Sequence, residues 1–463
     1  MDYVPSAAAQ RVLARLSRHE LLDRLHAARA LSAVRGLRYL DDHGHPRTID
    51  LALAPWLLTP QQVAFFRQLV RVVVDALVRL PRLYAERPDV RALLPFDATQ
   101  ESWLRLSAAP SVAPLAVLGR LDSTAQYHHA AWRRRFELLE PNAVGVGGVH
   151  YAPTACSILL DILGDQFERA FPGRRVAPMA DPRGLLIEEM SWVAQRLGHS
   201  LRAVALLENA EFTTGTDEFA SLAAYLRRQG LEAIVADPRD LDARRGRFFA
   251  KGREIDLIYR DCELGEFVEM ESRGRRLTAL RAAIRQGRLI SGLMWEFDQK
   301  SSWELFTDPA HARYFSAEQQ RLFRTYMPWT RLVREGWVTD PNGRRVDLIP
   351  YVRAQQSHLV LKPNALYGGQ GVLIGPQASR AVWQRALAQA VRGSTRYVVQ
   401  EMARIGTERF PMLCDGQARA VERSVVSGFF FNSSGIGLIG RFADDPVVNV
   451  SRGGGLMAAL IVQ

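Results

Sequence analysis

Four groups of residues in this 463-residue sequence have types and spacings suited to chemistry. The first is Lys362-Pro363-Asn364, which closes the apolar run Leu359-Val360-Leu361 and leads into Gly368-Gly369-Gln370-Gly371. A lysine at a strand end before a flexible glycine loop sets an ammonium and several backbone N–H groups around a polyphosphate. No Gly-Lys-Ser/Thr follows, and the glycine spacing is not that of a dinucleotide-binding turn, so neither familiar phosphate motif applies. Alone, the pattern fits a tight turn with a surface lysine equally well. The second group is Val398-Val399-Gln400-Glu401-Met402, an apolar strand ending in a polar pair. There, backbone groups could bond an adenine edge while a carboxylate meets ribose hydroxyls; by itself it could equally be any buried strand reaching the surface.

The third group is Arg120, Asp122, Glu140 and Asn142. Alternate residues of a strand share a face, so Phe136, Leu138, Glu140 and Asn142 line one side, apolar first and then oxygen-bearing. If the strand of Asp122 pairs beside it, three hard oxygen ligands converge, as Mg²⁺ bound with nucleotide phosphates requires. An exposed acidic strand end with an ordinary ion pair is the plainer alternative. The fourth group is Arg441 and Asn449 with Arg452 and Gly453 to Gly455, where arginine stabilises a transferring phosphoryl group and glycine allows close backbone approach. A glycine-rich loop with solvated arginines is its plainer alternative.

The elements that must position these groups are legible in part. Residues 1 to about 100 read as helical: Thr59-Pro60-Gln61-Gln62 combines an N-cap, a proline at the first helical position and a capping-box glutamine, and Val63, Phe66, Val70, Val73 and Leu77 follow at helical spacing. Strand-like texture then carries Val117 to Asp122 and Phe136 to Asn142, and Gly145-Val146-Gly147-Gly148 turns into a helix. From residue 203, strands at 203–207, 233–236 and 255–259 around a helix at 218–228 predict a small parallel-sheet unit. The last sixty residues read as a β-meander. The connection from Asp122 to Glu140 is long for a hairpin; with His128, His129 and three arginines it reads as a solvated loop, and Trp303, Trp329 and Trp337 read as core.

Composition bounds the answer. With 48% hydrophobic, 24% charged and 9% aromatic residues the chain is an ordinary globular sequence of two or three domains. No apolar run reaches the length of a membrane helix, and the start lacks the order of a signal peptide, so a cytoplasmic protein without a membrane partner is expected. Cys156, Cys262 and Cys414 stand far apart and read as reduced thiols. The net charge of +11 attracts phosphates, but the basic runs are short and lack interleaved aromatics, so a nucleic-acid partner is not expected. Among 60 basic residues only Lys251, Lys300 and Lys362 are lysine. Where arginine is the default cation, a lysine marks a place that needs a compact, flexible ammonium.

Taken together, Lys300 in Phe297-Asp298-Gln299-Lys300, Lys362 with its glycine loop, Gln400-Glu401, and Asp122 with Glu140-Pro141-Asn142 resemble the nucleotide and magnesium elements of the ATP-grasp superfamily. The order differs: the Asp and Glu-x-Asn elements precede the others, as a circular permutation would produce. From about residue 115 onward the sequence is similar to the circularly permuted ATP-grasp ligases related to glutathionylspermidine synthase. That resemblance implies an α/β (α+β) ATP-grasp fold, circularly permuted, with a helical region at 1–110 and a Rossmann-like domain at 203–290. The small, nucleotide-binding subdomain would span 291–402, and the large subdomain 111–202 and 403–463.

It further implies an ATP-dependent carboxylate–amine ligase that forms an amide or peptide bond through an acyl phosphate and releases ADP and phosphate. Its partners would be a small carboxylate and an amine: an amino acid, a peptide or a polyamine. Lys300 and Lys362 would hold phosphates, Gly368, Gly369, Gln370 and Gly371 would cover them, and Gln400, Glu401 and Met402 would form the adenine hinge, with Asn449 also on the nucleotide. Asp122, Glu140 and Asn142 would bind Mg²⁺, and Arg120 or Arg441 would steady the acyl phosphate. The alternatives are an ATP-binding module without ligase activity and an ATP-grasp phosphotransferase. The N-terminal helices are left either to cap the site or to make a homodimer.

Overall fold

The computed structural model describes residues 5–107, 116–211 and 215–463. The expected boundary at residues 110 and 111 lies outside the described residues. Among those described, no helix is long and apolar enough to cross a membrane.

The largest element is an eight-stranded sheet built from both ends of the chain. Its main path runs Leu51–Leu58, Gly455–Val462, Ile436–Ala443, Gln417–Phe431, Gly119–Thr124, Leu138–Asn142; Gly406–Cys414 pairs with Gln417–Phe431, and Val176–Pro178 with Gly455–Val462. All pairs are antiparallel except Leu51–Leu58 with Gly455–Val462. The expected meander is therefore present, and the strands of Asp122 and Glu140 continue it.

The helical reading of the first hundred residues needs correction at Leu51–Leu58. This run is apolar throughout and buried at every position, so it lacks the alternation that separates a half-buried strand from a helix. Pro55 falls where the register shifts between Met457 and Ala459, at the sheet edge, the one setting in which a strand tolerates proline. The neighbouring helix Pro60–Leu77 forms as its signals predict, with Thr59 and Gln62 closing a reciprocal capping box and Val63, Phe66, Val70, Val73 and Leu77 buried.

The four strands Leu289–Ile290, Leu257–Arg260, Ala203–Leu207 and Glu232–Ala236 lie in that order, all parallel, with the helix Phe219–Arg228 in the crossover from Ala203–Leu207 to Glu232–Ala236. This is the small parallel unit that the sequence predicts. A third sheet, antiparallel, orders Thr330–Leu332, Tyr397–Glu401, Leu359–Pro363 and Leu373–Ile374. The helices Leu348–Ala354 and Arg380–Arg392 supply Leu348, Val352, Trp383, Leu387 and Ala390 to a core of its own with Trp329, Leu359, Leu361 and Val399. Trp303 and Trp329 are core, as expected, but Trp337 is 62% exposed. It stands on the short hairpin Trp337–Thr339/Arg345–Asp347 under the guanidinium of Arg345, which covers its ring instead of a core.

Candidate functional site

The site forms where the eight-stranded sheet meets the small antiparallel sheet. Arg120 lies directly across from Asn142, and Asp122 across from Glu140, so all four side chains share one face. Gly428 pairs with Asp122 on the other side, and Arg441 follows one strand further on the same face. The pairing survives the long connection because that connection is anchored. Trp132 packs edge-on against Phe65 and Phe66 of the helix Pro60–Leu77, and His128 reaches Glu408 at 3.0 Å. The loop expected to be solvated is thus docked.

Asp122 is gripped from two sides. Arg120 donates from Nε to Oδ1 at 2.6 Å and from its other arm to Oδ2 at 3.1 Å, and Arg441 reaches Oδ2 at 2.9 Å. Burial pushes the carboxyl up, but Arg120 and Arg441 together outweigh it and hold it at about 2. The three residues expected to ligate a cation are brought together, and Asp122 is the one whose oxygens the arginines already occupy. Glu140 Oε2 faces Lys300 Nζ at 3.6 Å. Among the described residues, no group of three or more His, Cys, Asp and Glu side chains has the arrangement of a metal site.

The two lysines come from different elements, one from a strand and one from a turn. Lys362 ends Leu359–Pro363, and its ammonium donates to Gln400 Oε1 at 2.8 Å; burial pushes its pKa down, opposed by Glu140. Gln400 is 2% exposed and faces inward, donating to Leu139 O and to Thr330 Oγ1. Its amide therefore anchors Lys362 and sutures the small sheet to the large one. Lys300, in the turn before the helix Ser302–Thr307, donates to Leu366 O at 2.6 Å.

The glycine loop follows. Gly368, Gly369 and Gly371 have φ of 67°, 69° and 66°, a backbone region that side chains with a Cβ avoid. A Cβ on Gly369 would sit 2.7 Å from Val447, so the loop closes on the chain just before Asn449. Asn449 Nδ2 donates to Gly368 O at 2.7 Å, and Gln370 N–H bonds Tyr367 O. At the expected hinge, Glu401 N–H is bonded to Trp329 O and Met402 N–H to His358 O. The carboxylate of Glu401 accepts from Trp329 N–H, and the Met402 side chain is 39% exposed.

Sequence reasoning missed three further acids: Asp261 directly after the parallel strand Leu257–Arg260, Glu218 at the start of the helix Phe219–Arg228, and Asp298 two residues before Lys300. Burial raises Glu218, Asp261 and Asp298 to about 7 each. Glu218 accepts from the N–H groups of Gly148 and His150, and Asp298 from that of Ala143, which ties both to the strand and turn that carry Glu140 and Asn142. Thr330 and Gly428 were also missed as site residues, since their roles depend on strand register, and Asn364 was quoted beside Lys362 without a role of its own.

Four cationic side chains, Arg120, Arg441, Lys300 and Lys362, face two carboxylates, Asp122 and Glu140. The surplus of positive charge lies where Asn142 Nδ2 and Arg441 Nε are buried donors without a hydrogen-bond partner. Orphaned buried donors are costly unless something accepts from them. The donor set thus fits an anion rich in oxygen, such as a phosphate chain or a carboxylate.

No protein-family model matches the chain, and no curated protein matches it. Among solved structures, a glutathione synthetase-like effector from Globodera pallida matches with a TM-score of 0.60, covering 97% of this chain and 98% of that one. The two share a fold. Their identity of 11% extends the likeness no further than that. An ATP-grasp ligase, PsnB, solved with a minimal precursor, aligns over 56% of this chain and 89% of that one, at 15% identity and a TM-score of 0.22, a likeness too slight to bear on the fold.

Proposed function

We propose that the protein is an ATP-dependent carboxylate–amine ligase of the ATP-grasp type. The observation that carries this reading is the convergence, at the seam of two sheets, of two lysines, a glycine loop and two arginines around a carboxylate pair. Lys300 and Lys362 hold phosphate oxygens, and the loop from Gly368 to Gly371 lies over them. The chain around Gln400 to Met402 receives the adenine, with Gln400 serving as the internal anchor of Lys362. Arg441, whose Nε has no acceptor of its own, and Arg120 face the acyl phosphate formed from the carboxylate substrate. Asn449 holds the glycine loop from the far side.

Glu140 and Asn142, with Asp122 beside them, would hold Mg²⁺, whose charge would offset that of the phosphate oxygens when it is bound. Positioning and electrostatics are what phosphoryl transfer chiefly demands of a protein, so no side-chain nucleophile is required. A circular permutation suits the sheet, in which strands from 119–142 complete a meander formed by 406–462. On this reading 203–290 is the Rossmann-like domain, 291–402 the small subdomain, and the substrates are a small carboxylate and an amine.

Product analysis tests the proposal. With a panel of amino acids, peptides and polyamines, ADP, inorganic phosphate and an amide should accumulate together. ADP without free phosphate would make the protein a phosphotransferase, and AMP with pyrophosphate would refute the acyl-phosphate route.

A further inference from the structure

Lys300 and Lys362 reach one site from two separately packed bodies. The segment of Lys300 belongs to the main core through Phe297, Trp303 and Leu305. Lys362 extends from a strand whose Leu359 and Leu361 belong to the smaller core. Two like charges aimed at one space repel, and Lys300 adds to the cost of charging Lys362. Some connection stiffer than the side chains must fix their separation.

Asn364 is placed to do this. Its N–H bonds Arg396 O at 2.8 Å, extending the small sheet by one residue beyond Pro363. Its carbonyl accepts from the N–H of Lys300 at 3.1 Å, its Oδ1 accepts from Ser301 N–H at 2.8 Å, and its Nδ2 donates to Gln299 Oε1 at 2.9 Å. Asn364 is 2% exposed and Gln299 6%. One residue, two positions beyond Lys362, thus bonds three consecutive residues of the turn that carries Lys300. A short amide offers one donor and one acceptor in fixed geometry, which alanine lacks and a longer side chain would displace.

We propose that Asn364 is a positioning residue that sets the distance between the Lys300 and Lys362 ammonium groups and so prepares the site for a polyphosphate. The proposal rests on the nucleotide reading given above. It assigns Asn364 no contact with the ligand. Its effect is carried by the two lysines, each of which contributes roughly ten- to 150-fold in affinity when its ammonium meets a phosphate oxygen.

The chain's own composition supplies the assay, because its three lysines are Lys251, Lys300 and Lys362. Lys251 stands on an exposed hairpin and serves as the internal reference. Acetylation of folded protein by an amine-reactive reagent, read by peptide mass spectrometry, gives the reactivity of each lysine in the wild type, in Asn364→Ala and in Leu387→Ala. The last variant destabilises the small core without touching the junction. Mg-ATP is then titrated into each protein, well below its melting temperature. In Asn364→Ala without nucleotide, Lys300 and Lys362 should become several-fold more reactive relative to Lys251. Its Mg-ATP affinity should fall by about tenfold or more, while Leu387→Ala leaves both readings at wild-type values.

Unchanged lysine ratios in Asn364→Ala, or affinity within about twofold of wild type, would overturn the proposal. So would equal losses in Leu387→Ala, which would reduce the effect to general loosening. Should Mg-ATP protect neither lysine in the wild type, the nucleotide reading itself fails, whereas raised lysine ratios in Asn364→Ala would still uphold the junction.

Discussion

Replacing Lys362 by methionine should separate the cost of building the site from its benefit. The ammonium sits against a gradient, since burial disfavours its charge, and it bonds a neutral acceptor, Gln400 Oε1, at 2.8 Å. Methionine removes the burial cost but leaves that acceptor without a donor. Each term is worth about 1–3 kcal/mol and they oppose one another, so the unliganded protein should change by no more than about 2 kcal/mol. Binding has no such compensation. A hydrogen bond to a charged group contributes about 1.5–3 kcal/mol, or roughly ten- to 150-fold in affinity. At Mg-ATP equal to 100 times the wild-type dissociation constant, the ligand stabilises the native state by about 2.7 kcal/mol; a hundredfold loss of affinity leaves about 0.4 kcal/mol. For a chain of 463 residues, the melting shift falls from roughly 3 °C to under about 1 °C. Thermal unfolding with and without Mg-ATP reads both quantities, and direct titration of the nucleotide checks the affinity. A variant that melts well below the wild type yet keeps the ligand shift would refute the argument, because Lys362 would then be a structural lysine.

The remaining predictions concern the partners of these cations. In Gly428→Ala the new Cβ would stand 2.6 Å from Arg120 Cδ and 2.7 Å from Asp122 Oδ1; overpacking of this kind costs about 1–3 kcal/mol, and Mg-ATP affinity should fall with the displaced pair, as titration would show. Gln400→Glu should keep an acceptor for Lys362 while cancelling its charge, so Mg-ATP binding weakens although the ammonium stays in place, a combination that affinity and lysine labelling together detect. Glu218 governs a pH effect. Burial lifts its carboxyl from the ordinary 4.5 to about 7, against the N–H bonds from His150 and Gly148, so the folded protein holds this proton more tightly than the unfolded chain. The stabilisation is complete below pH 4.5 and is lost as pH rises through 7, on the order of 3 kcal/mol in all. Denaturant unfolding across that range should show the slope in the wild type and a flatter profile in Glu218→Gln.

How much of this was legible in the sequence depended on the range of the interactions. Local signals succeeded: the capping box at Thr59 and Gln62, the parallel strands after residue 203, and the alternation that puts Glu140 and Asn142 on one face all act within a few residues. Leu51–Leu58 failed because its apolar run has no period and its partner, Gly455–Val462, lies at the other end of the chain. Trp337 failed because a single guanidinium, that of Arg345, can cover an aromatic ring outside any core. The site residues were found by type, but their roles were set by register. That Arg441 reaches Asp122 follows only from the pairing of Ile436–Ala443, Gln417–Phe431 and Gly119–Thr124. The inward turn of Gln400 follows from its position opposite Thr330 and beside Leu139.

The choice of partner at each cation follows one physical rule, and it explains why the site has both carboxylates and an amide. Arg120 and Arg441 lie close together on one sheet face, and their mutual repulsion in a region of low dielectric needs a counter-charge. Asp122 supplies it, held ionised by the same two groups it joins. Lys362 is a different case, because an ammonium meant to meet an incoming anion must be held in place without being neutralised. A glutamate at position 400 would fix it just as firmly and remove the attraction. A glutamine fixes it with an uncharged oxygen and spends its two amide hydrogens on Leu139 and Thr330, which ties the small sheet to the strand that carries Glu140. Glu218 and Asp261, raised to about 7 behind the arginines, add less negative charge than their number suggests. The positive surplus therefore remains at the seam, beside the unpartnered donors of Asn142 and Arg441, where an anion of several oxygens can use all of them at once.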